Sequence, residues 1–394
     1  MRSATRSRGI WLSLIAIGVL VLFFGLANIG TAAGQAPPRV NVLIGFTEQP
    51  GPGDEALVRR ADGAIKYTYH LVPAIAASVP ESAIEGLRKN SKITRIEPDL
   101  EVYAAGKPVR QVLPWGVDRI DAEVVHAGGN KGAGVKVAVI DTGVDYRHPD
   151  LDGNYAGGKD FVNSDADPMD DNGHGTHVAG TIAAEDNNVG VVGVAPQSRL
   201  YALKVLNSGA SGYWSDVIAA MEWAVNNGMQ VANLSLVSSI DPGVTVETAF
   251  NNAEIAGLLS VAAAGNTNGG AVTYPAKYGS VVAVSATTDT NGLASFSSVG
   301  PEVELAAPGK SIYSTYKGGG YAALDGTSMA SPHVAGTAAL VIAAGITDAN
   351  GDGKINDEVR RRLRDTAGDL GPPGKDNSFG YGLVKADRAV APSP

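Results

Sequence analysis

A carboxylate, an imidazole and a hydroxyl occur along this chain in the order Asp141, His174, Ser328. Each lies in a distinctive segment: Val137-Ala-Val-Ile-Asp141-Thr-Gly-Val-Asp145, Asp171-Asn-Gly-His174-Gly-Thr-His177-Val-Ala-Gly180 and Asp325-Gly-Thr-Ser328-Met-Ala-Ser-Pro-His333-Val-Ala-Gly336. A serine hydroxyl is a poor nucleophile until a neighbouring imidazole takes its proton. That imidazole works best when a carboxylate fixes its tautomer and stabilises its cation. The chemistry such a set could perform is acyl transfer, which also needs donors for a developing oxyanion. Two are in reach of the sequence. Ser328 stands just before an expected helix, Ala330 to about Ala344 with Pro332 in its first turn, so its own N–H and the positive helix end are available. Asn266, at the end of the apolar run Val261-Ala-Ala-Ala-Gly-Asn266, offers a side-chain amide. Taken singly, Asp141 or Asn266 reads equally well as a turn residue; the combination in one order is what carries weight.

These residues must be held by a scaffold, and the apolar runs indicate which one. Val135 to Ile140, Leu200 to Leu206, Val231 to Leu236, Leu258 to Ala264 and Val281 to Ser285 read as unbroken apolar strands. Between them lie helical stretches at Thr176 to Ala184, Trp214 to Asn226 and Val244 to Ile255. Continuous apolar strands separated by helices predict an α/β domain with a parallel sheet covered on both faces. Functional residues on such sheets sit at the carboxyl ends of strands, and Asp141 follows its strand directly. Ahead of this region the pattern is strand (Val40 to Phe46), helix (about Asp54 to Ala64), strand (Ile65 to Leu71), strand (Pro73 to Val79), helix (Glu81 to Lys89) and strand (Ile93 to Glu97). That order predicts a small split-βαβ, ferredoxin-like α+β unit. The stretch from Ala104 to Arg110, with Gly106 and Pro108, reads as an exposed linker open to proteolysis.

Composition narrows the class. The chain has 394 residues, 44% of them hydrophobic, so it can bury a large core with something smaller beside it. Its 50 Gly and 7 Phe suit close helix-to-strand packing through small side chains. A formal net charge of -9 and the lack of a Lys/Arg stripe argue against a nucleic-acid partner. With no Cys, neither disulfides nor thiolate metal sites are available. Arg2, Arg6 and Arg8 precede an uncharged apolar run from about Gly9 to Ile29, then the small residues Thr31 to Ala36. This reads as an export signal, with an uncleaved membrane anchor as the alternative, so the remainder is expected outside the cytoplasm.

The three segments together resemble the subtilase family, the subtilisin-like serine proteases, over nearly everything after residue 35. The resemblance implies a three-layer α/β catalytic domain over residues 106–394, preceded by an inhibitory, folding-assisting propeptide over 37–105 and a signal peptide over 1–36. It implies Asp141 as orienting acid, His174 as general base, Ser328 as nucleophile and Asn266 as oxyanion donor in a secreted endopeptidase that cuts away its own propeptide. Polypeptide substrates and the chain's own propeptide are then the partners, and a membrane only if the first segment is retained. Ser211 and Gly212 on one side and Ser235, Leu236 and Val237 on the other resemble the edges that pair an extended peptide. The family usually has Gly where Val237 stands and often where Ala210 stands, so subsite preferences do not carry over.

Calcium is the implied cofactor. Gln111, Asp150, Glu185, Asn187, Val189 and Val191 resemble the family's strong site, in which carboxylate, amide and carbonyl oxygens suit Ca²⁺ rather than zinc. Asp160 and Asp165 resemble a second site of thermophilic relatives, or else form a solvated acidic loop. Asp348, Asn350, Asp352, Gly353, Lys354 and Asn356 follow EF-hand spacing, but Glu358 comes one residue early and Val359 occupies the twelfth position; a polar turn is the alternative. A catalytically silent binding protein on the same scaffold would be marked by loss of a triad or oxyanion residue, and all four are present. The remaining histidines, His70, His126, His148, His177 and His333, read as structural or ordinary surface groups.

Overall fold

The computed structural model describes residues 39–99 and 111–391. The expected signal or anchor in residues 1–36 and the expected cut near Ala105 to Arg110 lie outside the described residues. The chain divides into two compact units, residues 1–105 and 106–394.

The first unit is built from β1 (Arg39–Phe46), α1 (Pro52–Arg60), β2 (Ala64–Thr68), β3 (Ala74–Pro80), α2 (Ile84–Arg88) and β4 (Ile93–Pro98). Its sheet runs β2-β3-β1-β4 with antiparallel pairs, the ferredoxin-like arrangement. Val42, Ile44, Val58, Ile75, Val79 and Leu87 form its core. Helix α1 ends four residues before the sequence suggests. Asp62 adopts a φ of 57°, and Ala61 and Gly63 donate back to Val58 O, closing the helix. The second expected helix is shorter, beginning as a 3₁₀ turn over Glu81–Ala83.

The second unit opens with α3 (Trp115–Arg119) and α4 (Ala122–Ala127). It continues through β5 (Lys136–Asp141), β6 (Tyr155–Asp160), α5 (His174–Ala183), β7 (Arg199–Lys204), α6 (Trp214–Asn226), β8 (Val231–Leu234), α7 (Val244–Ile255), β9 (Leu259–Ala263), β10 (Val281–Thr287) and β11 (Val303–Pro308). The hairpin β12 (Ile312–Tyr316) and β13 (Gly320–Leu324) leads into α8 (Thr327–Ala343), α9 (Asn356–Asp365) and α10 (Ala386–Val390). Seven strands form one sheet in the order β11-β10-β9-β8-β5-β7-β6, every pair parallel.

Strand β5 shows why the sheet needs cover on both faces. Val137 and Val139 point into one core, with Val178, Ile182, Val334 and Ala338 of α5 and α8. Ala138 and Ile140 point into the other, with Val217, Met221, Val246 and Phe250 of α6 and α7. Side-chain alternation along a strand puts successive apolar residues on opposite faces, so an apolar run is stable only between two helical layers. The result is three layers, α/β/α. Because β5 is flanked by β7 on one side and β8 on the other, the connections diverge at its carboxyl end, where Asp141 stands.

Candidate active site

The last residue of β5 and the first of α5 meet. His174 Nδ1 donates to Asp141 Oδ1 at 2.7 Å, and Thr142 N donates to the same oxygen at 2.7 Å. Asp141 is wholly buried and its Oδ2 has no hydrogen-bond partner. Buried unpaired carboxylate oxygens cost stability and persist where function holds them. Burial pulls the His174 pKa down, but the charge of Asp141, its hydrogen bond and the more distant Asp170 outweigh it, and the net shift is upward from 6.5. With Nδ1 bound to the carboxylate, Nε2 is left for proton exchange.

Gly175 makes this approach possible. A Cβ there would fall 2.1 Å from Gly143 O and 3.1 Å from Asp141 Cβ, so any side chain would push α5 off the strand end.

Ser328 sits inside the first turn of α8, which begins at Thr327 and not near Ala330 as the sequence suggests; Pro332 is therefore in the second turn. Proline removes the N–H that would reach back four residues, to Ser328 O. That carbonyl is instead taken by Ser235 Oγ at 2.8 Å, so the helix passes through Pro332 without an unpaired group and is tied to the end of β8. Ser328 Oγ rests on Ser235 O at 3.3 Å rather than on the imidazole. Serine–histidine bonds of such sites are often loose without substrate.

Asn266 is locked in one orientation. Its Oδ1 accepts from Thr327 N and Thr327 Oγ1, both at 3.0 Å, and Thr327 Oγ1 accepts from Gly265 N at 3.1 Å. The oxygen being occupied, Nδ2 is the free end of the amide. A Cβ placed on Gly326, whose φ is 156°, would lie 3.5 Å from Ser328 N and 3.6 Å from Asn266 Nδ2. Both N–H groups thus lie near one point beside Gly326, where no side chain intervenes.

A cleft of about 500 Å³ opens from His174 between two chain segments. Ser211, Gly212 and Tyr213 line one side and Ser235, Leu236 and Val237 the other, so the two expected peptide edges face one cavity. Val237 projects into it and is half-exposed. Ala210 has a φ of 55°, a left-handed conformation that glycine adopts more readily.

The residues of the first expected calcium site also converge. Asp150 Oδ2 accepts from Val191 N at 2.8 Å, while its Oδ1 is buried with no partner. Burial pushes the Asp150 carboxyl up to about 7. Gln111 Nε2 reaches Glu185 O and Val191 O, and Asn187 Oδ1 accepts from Val189 N at 2.9 Å. Asp150 Oδ1 is the acceptor of this set left without a partner, the kind of hard donor Ca²⁺ takes, while Gln111 turns its nitrogen to the two carbonyls. The other two loops differ. Asp160 spends both oxygens on Asn163, and Asp165 caps Asp167 N. In the later loop, Asp348 accepts from Gly351 N and Gly353 N, Asn350 from Asp352 N, Asp352 from Lys354 N, and Glu358 Oε1 from Ala349 N and Asn350 N. In both, these side chains hydrogen-bond within their own loops, apart from the buried, unpartnered Glu358 Oε2. Among the described residues no three acidic or histidine side chains converge as a metal cluster.

Sequence reasoning passed over Asp170. It is buried and accepts from both segments that carry the acid and the base. The available signal was its position at the head of the His174 segment, with a threonine after Asp141 and another after Gly175.

Known proteins resemble this chain along most of its length. A family model described as the subtilase family matches residues 132–382. The chain is 42% identical over 377 residues to an alkaline protease of Alkalihalobacillus alcalophilus, covering 92% of this chain and 94% of the relative. It is 40% identical to subtilisin E of Bacillus subtilis (strain 168), covering 96% and 97%, and 44% identical over 329 residues to a thermostable alkaline protease of Halalkalibacterium halodurans, covering 84% and 86%.

Proposed function

Because the chain belongs to the subtilase family and is a serine endopeptidase, we propose that it cleaves polypeptides with Ser328 as nucleophile, His174 as general base, Asp141 as orienting acid and Asn266 as oxyanion donor. The observation that carries this assignment is the 2.7 Å bond from His174 to the buried Asp141, in a cleft shared with Ser235, whose backbone oxygen accepts from Ser328 Oγ at 3.3 Å.

An extended peptide pairs with the edges at Ser211-Gly212 and Ser235-Leu236-Val237, which presents its scissile carbonyl to Ser328. Ser328 Oγ turns from Ser235 O to His174 Nε2, gives up its proton there and bonds to the carbonyl carbon. The oxygen takes the negative charge and is held by Ser328 N and Asn266 Nδ2. His174 then passes the proton to the departing amine, leaving an acyl-enzyme, which water hydrolyses by the same steps with His174 as base. Asp141 keeps its charge throughout and stabilises the imidazolium.

Gln111, Asp150, Glu185, Asn187, Val189 and Val191 would hold Ca²⁺, which supplies cohesion to this corner of the fold and no step of the reaction. We infer further that residues 1–36 direct export and residues 37–105 act as a propeptide that the enzyme removes itself near Ala105 to Arg110. Two features support this, the apolar run behind a basic start and a separate ferredoxin-like unit ahead of the catalytic one.

The test is intact mass and amino-terminal sequence of wild type beside Ser328→Ala, both refolded with calcium, followed by casein hydrolysis. Loss of about the first hundred residues and casein digestion by wild type alone are expected; a full-length, inert wild type would overturn the reading.

A further inference from the structure

One buried carboxylate near the triad has no part in proton transfer. Asp170 is 5% exposed and accepts five hydrogen bonds. Its Oδ1 takes Thr142 Oγ1, Asn172 N and Gly173 N, each at 2.9 Å. Its Oδ2 takes Thr176 N at 2.9 Å and Thr176 Oγ1 at 2.6 Å. Thr142 follows the triad acid, and Thr176 lies two residues after the base.

The two hydroxyls are laced in opposite senses. Thr142 Oγ1, while donating to Asp170, accepts from Gly175 N at 2.9 Å; Thr176 Oγ1, while donating to Asp170, accepts from Asp145 N at 2.9 Å. Each segment therefore holds a backbone N–H of the other through a hydroxyl whose direction Asp170 sets. An ionised carboxylate has only acceptors, so both hydroxyls must donate to it and are free to accept from the opposing chain. No neutral side chain of this size can do the same, since an amide would turn a donor toward one set of N–H groups.

We propose that Asp170 is a positioning residue of the triad, which clamps the loop after β5 to the start of α5 and so fixes the Asp141–His174 distance. The inference rests on the triad reading above. A hydroxyl lattice with one permitted polarity holds the base rigidly while its imidazole changes charge, which is when an unbraced helix end would shift. Asp170 also adds a second negative charge that favours the imidazolium. The other ionisable groups around this frame are Asp141 on β5, the buried Asp145, whose carboxylate accepts from Arg147 N, Gly318 N and Gly319 N, Asp171 paired at 2.7 Å with Lys204 of β7 and taking Lys317 Nζ on its carbonyl, and His177 on α5, which burial keeps neutral. Lys204 Nζ donates in addition to Thr142 O at 2.6 Å, bracing the same loop from β7.

The experiment compares wild type, Asp170→Asn, Thr176→Val, Thr176→Ser, the Asp170→Asn/Thr176→Val pair and Ser328→Ala. Each is assayed on a peptide anilide from pH 5 to 10, with rates expressed per fluorophosphonate-reactive site, except for Ser328→Ala, whose rate is expressed per mole of folded protein and compared with wild type on the same basis. Asp170→Asn is expected to lower kcat about 10–100-fold with KM changed less than about threefold, the size of effect a misplaced catalytic group produces. Its acidic limb is expected to move to lower pH, because a negative charge beside the imidazole has been removed. Thr176→Val is expected to lower kcat in the same sense and Thr176→Ser to restore it. The double variant is expected to lose less than the product of the two single effects, since both break one link. Wild-type kcat and limb in Asp170→Asn, or a loss explained wholly by fewer reactive sites, would overturn the inference. If Asp170→Asn does not fold, wild-type kcat in Thr176→Val overturns it. Ser328→Ala as active as wild type would instead sink the triad assignment beneath it.

Discussion

At the residue scale, the proposed chemistry depends on one imidazole held by a buried carboxylate and reached by a serine hydroxyl that turns to it. His174 must be neutral to act as base, and its pKa is raised above the usual 6.5, so kcat/KM is expected to fall as pH drops through a value above 6.5 rather than below it. A pH profile on an unionised peptide substrate checks this; an acidic limb well under 6.5 would contradict it. Asn266→Ala is expected to reduce kcat about 10²–10³-fold with KM nearly unchanged, a magnitude carried over from a relative in which such a donor was removed. An unchanged kcat would take Asn266 out of the oxyanion space. The segments holding the proposed triad and Asn266 stand out in the sequence because their neighbours are distinctive: glycines where the backbone comes close, alanines where a strand is covered. Asp170 is not legible in the same way. An aspartate in a loop is indistinguishable by type from any turn residue, and only three-dimensional contacts display the five donors around it.

At the element scale, apolar periodicity identifies β5, β7, β8, β9 and β10 and helices α6 and α7, because each is buried on a face that admits few polar residues. Strand β6, Tyr-Ala-Gly-Gly-Lys-Asp, is invisible to that signal. It lies at the sheet edge, pairs only with β7, and its residues are mostly half-buried. The start of α8 is misjudged for a related reason: Ser328 reads as a residue before the helix, whereas the Ser235 bond to its carbonyl lets the helix begin earlier and run through Pro332. The closeness of α5 to β5 also yields a prediction. Gly175→Ala places a methyl group 2.1 Å from Gly143 O, so it is expected to destabilise the fold by about 1–3 kcal/mol and to cut turnover at least tenfold. Thermal melts and kinetics of that variant check it, and wild-type values for both would show that the helix can retreat without disturbing the site.

For the whole molecule, buried neutral histidines tie stability to pH, and the proposed calcium site would tie it to cations. His177 and His333 are pulled down to about 4 chiefly by burial. A group whose folded pKa lies below its unfolded value contributes stability above the unfolded pKa and loses it as pH falls. Unfolding midpoints are therefore expected to decline between about pH 6.5 and 4, where the unfolded chain takes up protons that the folded one refuses. A flat midpoint across that window would contradict the assignment. Excess EDTA is expected to lower the melting temperature, and Asp150→Ala to abolish the response to added calcium, because a cation bound only by the folded state stabilises it by mass action. An unchanged melting temperature in the chelator removes the calcium argument. The α/β class and ferredoxin-like first unit are legible from the order of runs alone. Nothing in the sequence distinguishes carboxylates that hold their own turn, as Asp160 and Asp348 do, from one left with an unpaired buried oxygen, as Asp150 is.

The most direct test of the central claim is covalent: treat the folded protein with a fluorophosphonate and map the adduct by peptide mass. One equivalent on Ser328, with casein hydrolysis lost in proportion and labelling suppressed below the His174 pKa, is the result this account predicts. Inactivation with the label on another residue, or full labelling of the Ser328→Ala variant, would contradict it.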